Sequence, residues 1–343
     1  NRGVLKVNKY DFKSLKGFIQ ILMNFMKRNK FYLLFIMMIC ICWGCKSKNM
    51  NTVTNEEAES TIVENSNDTK TNDNESKEEN TEESAVKLSD FINPEGNTLF
   101  TRFITPKGYK RVETAEGSFA DFIGNYPLEP DGTPVYYFDK REKGGEGHAA
   151  VFSMEVAEED LQQCADSIMR IYAEYLYNSG NEDKISFKFV DGFVCDYNHW
   201  KQGYRVKFSD DKPYWEKKTD ADNSEETFKK YLRIVFAYSS TLSMEKEAKP
   251  IDISQLQVGD IFIKGGSPGH VVMVADICEN ESGEKAFLLA QGFMPAQSFH
   301  IIKNPAHSED PWYYESEIRY PFITQSYTFD EGSLKRLNYL DQH

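Results

Sequence analysis

Between Asp260 and Ile302 four apolar runs follow one another: Asp260–Lys264, His270–Ile277, Ala286–Gln291 and Phe299–Ile302. Only short stretches of Gly, Pro and charged residues separate them. Connections this short leave room for hairpins and none for crossover helices, so the runs predict an antiparallel meander. Upstream, the pattern predicts a short strand over Leu99–Thr105 and a small helix at Ser118–Gly124 capped by Ser118. Strands at Val135–Phe138 and His148–Val156 lead to a long helix from about Glu158 to Tyr177. Strands at Ser186–Val190 and Tyr204–Phe208 and a second helix over Glu226–Ser239 complete the reading, and the aromatic-rich tail is irregular. Helices followed by a compact sheet give the α+β class.

The chain of 343 residues is long enough for one large domain, and its charge of −14 is unevenly spread. Residues 1–48 carry ten Lys and Arg against Asp11 alone, whereas residues 51–86 carry eleven Asp and Glu against Lys70 and Lys77. The remainder, from Lys87, is therefore also acidic, which argues against nucleic acid as a partner, because phosphate binding needs a basic surface. Residues 1–25 precede a plausible start at Met26, or at Met23, and read as upstream read-through. Residues 26–45 read as a signal: a basic Met26-Lys27-Arg28-Asn29-Lys30, then an uncharged apolar stretch from Phe31 to Cys42, too short for a bilayer span of ~20 residues. It ends in Cys42-Trp43-Gly44-Cys45, resembling a bacterial lipoprotein signal in which Cys45 is lipidated and anchors the chain to a membrane of the cell envelope. Residues 46–86 lack aromatic residues and periodicity, and read as a disordered acidic tether to a single folded domain, 87–343.

Within that domain the chemistry centres on GGSPGHVVMVAD, Gly265 to Asp276. A histidine, His270, opens an apolar strand directly after a Gly-rich loop that lets a substrate backbone approach. Asp276 lies six residues on, ~20 Å away along a strand, and so cannot orient the ring. The turn near Glu281–Ser282 instead brings a residue at or beside Gln291 across from His270. Of the cysteines after the tether, Cys164 sits near the start of the long helix, where the dipole favours thiolate, with Gln162 and Gln163 just upstream as donors to an oxyanion. The bland readings stand beside these. Cys164 shares an apolar stripe with Leu161, Ile168, Ile171, Tyr172 and Tyr175, and His270 would merely cap a strand. Cys195 and Cys278 read as structural. His148, His199, His300 and His307 have no metal-ligand spacing, Gly144–Gly147 has no phosphate-loop setting, and no cofactor is implied. The aromatic patches at 197–200 and 311–314 are candidates for sugar stacking or for core.

Three stretches carry a resemblance: Asp160-Leu161-Gln162-Gln163-Cys164-Ala165-Asp166, the run from Gly259-Asp260 through Gly269-His270, and Leu288-Leu289-Ala290-Gln291 with Met294-Pro295-Ala296-Gln297. They resemble the bacterial domain-of-unknown-function family numbered 4846, exported lipoproteins without an established activity. The run from Gly259 to Val274 is also similar to NlpC-type cell-wall peptidases. That second resemblance implies a papain-like fold, with the long helix packed on the meander, and a cysteine peptidase or amidase that cleaves cell-wall peptides. Cys164 would then be nucleophile, His270 base, Gln291 its orienter and Gln163 the oxyanion donor. Cys164 departs from that pattern in lacking the usual Asp-Cys-Ser setting and in lying 106 positions before His270. The alternatives are a non-catalytic envelope lipoprotein that binds glycan or peptide, and a purely structural role.

Overall fold

A computed structural model describes residues 87–341 apart from Ser308. The signal, the tether and Cys45 lie outside the described residues. In chain order the elements are α1 (Leu99–Arg102), β1 (Tyr109–Arg111), α2 (Phe119–Gly124), β2 (His148–Val151), α3 (Cys164–Asn178), β3 (Ser186–Lys188) and β4 (Val194–Asp196). Then come α4 (Tyr197–Lys201), β5 (Tyr204–Ser209), β6 (Lys212–Lys217), α5 (Glu225–Tyr238), α6 (Thr241–Lys246), β7 (Ala248–Pro250) and β8 (Ile261–Lys264). The last are β9 (His270–Asn280), β10 (Lys285–Gln291), β11 (His300–Ile302), β12 (Tyr313–Tyr314), β13 (Phe322–Ile323), β14 (Thr328–Phe329) and β15 (Leu334–Leu337).

Nine strands form one antiparallel sheet in the order β2-β11-β10-β9-β8-β15-β7, with β1 on β9 and β12 on β10 off that path. The fold is thus mixed α and β around an antiparallel sheet, and the four apolar runs are its consecutive neighbours β8 to β11. Alternation along β9 divides the interior. Val271, Met273 and Ala275 join a core with Ile168 and Ile171 of α3 and Tyr231 and Val235 of α5. Val272 and Val274 face the other way, into a core closed by Phe322 of β13 and Phe329 of β14. A sheet buried on both faces reads as unbroken apolar runs, which is why β9 and β10 show no polar alternation.

Several expected elements differ. Leu99–Thr105 begins as helix α1, because the Thr98 hydroxyl accepts from the Thr101 amide and caps it. Val135–Phe138 makes only isolated bridges, Tyr136 with Glu142 and Tyr137 with Gln297. The aromatic tail, expected to be irregular, supplies β12 to β15. The long helix starts at Cys164, not Glu158. Residues 158–163 stay in tight turns, and the Asp166 carboxylate accepts from the Gln163 amide at 3.0 Å, holding Gln163 as the N-cap. Ser118 does cap α2, accepting from Asp121 at 3.2 Å.

Candidate functional site

Three polar residues stand at one end of three adjacent strands: His270 opens β9, Gln291 closes β10 and His300 opens β11. A register shift between Leu288 and Leu289 sets β10 against β9, and Gln291 lies opposite His300. The Gln291 Oε1 accepts from His270 Nε2 at 2.8 Å. With Oε1 as the acceptor, the neutral His270 carries its proton on Nε2 and leaves Nδ1 bare. The Gln291 Nε2 then donates to Ser326 Oγ at 3.2 Å and to His300 Nε2 at 3.3 Å. His300 in turn donates from Nδ1 to the Ser298 carbonyl at 2.8 Å. Donors and acceptors match along this chain with both rings neutral, His270 Nδ1 remaining outside it. Burial lowers the His270 pKa to about 4, against a small upward pull from Gln291, and drives His300 down to about 3. The His270 ring is boxed by Phe293, Tyr327 and Phe329, with centroids 4.9, 5.2 and 6.1 Å away.

Cys164 is the first residue of α3. Its sulphur meets the backbone amides of Ala165, of Val271 and of Cys164 itself, all of which favour thiolate. Burial outweighs them, Asp166 adds to it, and the thiol is pushed up to about 11. Gly292 brings the end of β10 onto this turn, since a Cβ there would lie 2.4 Å from Ser167 Oγ and 2.8 Å from the Gln163 carbonyl. The first turn of α3, the start of β9 and the end of β10 thus meet, with Cys164 against Val271 on the α3 face of β9, while the His270 ring lies on the other face with Val272 and Phe329. No hydrogen bond joins Cys164 to His270. Burial thus pushes the thiol up and the imidazole down, and both shifts favour neutral groups over an ion pair. Gln163 is turned aside: its Nε2 donates to Asp160 Oδ1 at 3.0 Å, an oxygen that also accepts from the Ala296 amide at 2.7 Å. Gln162 is buried, held by Arg170 at 2.7 Å.

The Gly-rich loop is a fixed rim. Gly265 donates to Glu245 and Gly266 to Thr241, while Tyr327 donates to the Pro268 carbonyl. A Cβ on Gly269 would fall within 2.5–2.7 Å of Thr241, Gly266 and Lys264. Asp276 pairs with Arg111 at 2.9 Å, far from the site. Cys195 and Cys278 are buried and free, and Trp312, a candidate for sugar stacking, is fully buried. A cavity of about 850 Å³ between α3 and α5 contains none of Cys164, His270, Gln291 and Gln163. Sequence reasoning missed His300 and Ser326 as partners of Gln291. His300 was weighed only as a metal ligand, although it interrupts an apolar run at the same sheet end as His270 and Gln291; Ser326, in the tail, carried no such signal.

The family model described as domain of unknown function (4846) matches residues 99–336, and the chain belongs to that family. No curated protein and no solved structure matches it.

Proposed function

We propose that this member of the family is an exported cysteine peptidase or amidase of papain-like arrangement, acting on cell-wall peptides and held in the cell envelope by lipidation of Cys45. The observation that carries the reading is the His270 Nε2–Gln291 Oε1 bond of 2.8 Å at the mouth of β9, beside a helix whose first residue is Cys164. The bond leaves Nδ1 as the basic atom; the thiol meets the Val271 amide from the α3 face of β9, whereas the ring shares the opposite face with Val272 and packs on Phe329, so the proposed transfer requires the mouth of β9 to rearrange. In the proposed reaction the Cys164 proton passes to His270 Nδ1 and the sulphur attacks the carbonyl carbon. The C–N bond breaks, and the leaving amine takes the proton back from His270. Water, deprotonated by the same ring, then cleaves the thioester to a carboxylate and regenerates the thiol. Gln291 orients the ring and, being uncharged, leaves its basicity low. The Cys164 and Ala165 amides, which now face the sulphur, would turn to the oxyanion, and Gln163 joins them on release from Asp160.

A second reading, a non-catalytic binder of glycan or peptide, is favoured by the wide separation of the Cys164 and His270 pKa values. Isolated sacculi incubated with the protein decide between them. We expect new amino groups at a rate reduced at least 100-fold in Cys164→Ala and His270→Ala. Sacculi that bind wild type and Cys164→Ala alike, with no amines released, would select the binder.

A further inference from the structure

Beside the His270–Gln291–His300 chain lies a cavity of about 230 Å³ lined by Lys143, Gly144, Gly145, His148, His300 and Ser326 among others. Several donors on its wall have no protein acceptor among the described residues, those of the exposed loop 144–146 being open to water. The amides of Gly144, Gly145, Glu146 and Gly147 donate no hydrogen bond among the described residues. Ser326 Oγ accepts from Gln291, which leaves its proton to offer. Lys143, half-buried, has no carboxylate partner among the described residues, unlike Arg102, Arg111 and Arg336, which pair with Asp131, Asp276 and Asp260. Its ammonium rests instead over Phe293, 5.3 Å from the ring centroid, and Phe293 is the ring that packs at 4.9 Å on His270. The same charge is close enough to lower the pKa of His148, His270 and His300. Glu146 is exposed on the same loop. A half-desolvated cation among unpaired amides and a free hydroxyl is the donor set of an anion site.

We propose that this cavity is a carboxylate subsite, and that the substrate carries a free carboxylate on the residue next to the bond presented to His270. The inference rests on the hydrolase reading above and names its substrate class. Lys143 is a specificity residue here: it holds the carboxylate, while the loop amides and Ser326 supply directed hydrogen bonds.

Calorimetric titration of the full chain carrying Cys164→Ala tests this without turnover. The probes are N-acetylalanine, its uncharged amide and inorganic phosphate. The expected result is that N-acetylalanine binds at least 10-fold more tightly than its amide and than phosphate. Lys143→Met should remove that preference and Lys143→Arg keep it, with circular dichroism showing both folded. Equal binding of acid and amide, absence of binding, or a preference that survives Lys143→Met would overturn the proposal, and tighter binding of phosphate would reassign the site. Because Cys164 is already replaced, a positive titration alongside inert wild-type protein on sacculi would sink the hydrolase and leave the carboxylate site standing.

Discussion

Asp166 shows how far burial governs single side chains around α3. One carboxylate oxygen accepts from the Gln163 amide; the other is buried without a partner among the described residues. Burial raises its pKa to about 8, although the two backbone amides facing it pull the other way. A carboxylate raised in the folded state binds its proton more tightly there than in the unfolded chain. Its favourable contribution is complete below its ordinary value near 4 and is lost as pH rises through about 8, at up to ~1.4 kcal/mol per pH unit. Asp166→Asn keeps the acceptor for Gln163 and abolishes this titration. Denaturant unfolding should show the variant gaining on wild type steadily from pH 5 to pH 8; parallel curves would mean that the carboxyl is not protonated in the fold. Asp166 also raises the Cys164 thiol. Alkylation of Cys164 by iodoacetamide at pH 8 should therefore be faster in Asp166→Asn. Gln297 makes a complementary case: it is fully buried and neither amide atom finds a partner among the described residues. Gln297→Met should be neutral or raise the melting temperature, since no hydrogen bond is lost; a drop would reveal a bound water or ligand at that amide.

At the scale of elements, what was legible followed from periodicity and turn chemistry. The meander, the partnership of His270 with the Gln291 region and the Ser118 cap were each readable, because apolar run length, hairpin centre and capping residue are local signals. The start of α3 was not. Residues 158–163 are acidic and helix-compatible, but the reach of Asp166 back to the Gln163 amide stops the helix there, and that bond is invisible to a propensity count. The consequence is chemical: Cys164 moves from nearly two turns inside the helix to its first position. Ser326 was illegible for a different reason, since its place depends on a tail that folds over the second core. The contact between β10 and α3 depends on Gly292. Gly292→Ala would put a methyl group 2.4 Å from Ser167 Oγ and 2.8 Å from a backbone oxygen that cannot swing away. We expect a loss of about 1–3 kcal/mol in denaturant unfolding. Alkylation of Cys164 should also change in rate, as the turn bearing it is displaced. Unchanged stability and reactivity would show that the two elements are not in register-defining contact.

Across the whole molecule, the sheet is closed by the chain's last strand. β15 returns to lie between β8 and β7, far from either in sequence, and carries Arg336 over Asp260, whose side chain is 0 % exposed. The guanidinium reaches the two carboxylate oxygens at 2.8 and 2.9 Å and also donates to the Gln255 carbonyl. Burial alone drives Asp260 upward, and Arg336 opposes it. Asp260 begins the turn into β8, with its backbone amide on Gln257 and the Val274 amide on its own carbonyl. The pair therefore locks β15, β8 and β9 together at the end of the sheet opposite His270. A second pair, Lys264 to Asp330 at 2.7 Å, lies at the other end of β8, where Lys264 stands across from His270, and both partners are well exposed. Physical scale separates the two. Removing one partner of a buried pair leaves an uncompensated charge and costs about 3–5 kcal/mol, whereas an exposed pair is worth less than about 1 kcal/mol. Arg336→Met should accordingly lower the denaturant midpoint far more than Lys264→Met does. Adding Asp260→Leu to Arg336→Met should recover much of the loss, because the buried charge is then gone. A double variant no more stable than the single would show that Arg336 acts through its bond to Gln255, and that the closure of the sheet does not depend on the ion pair.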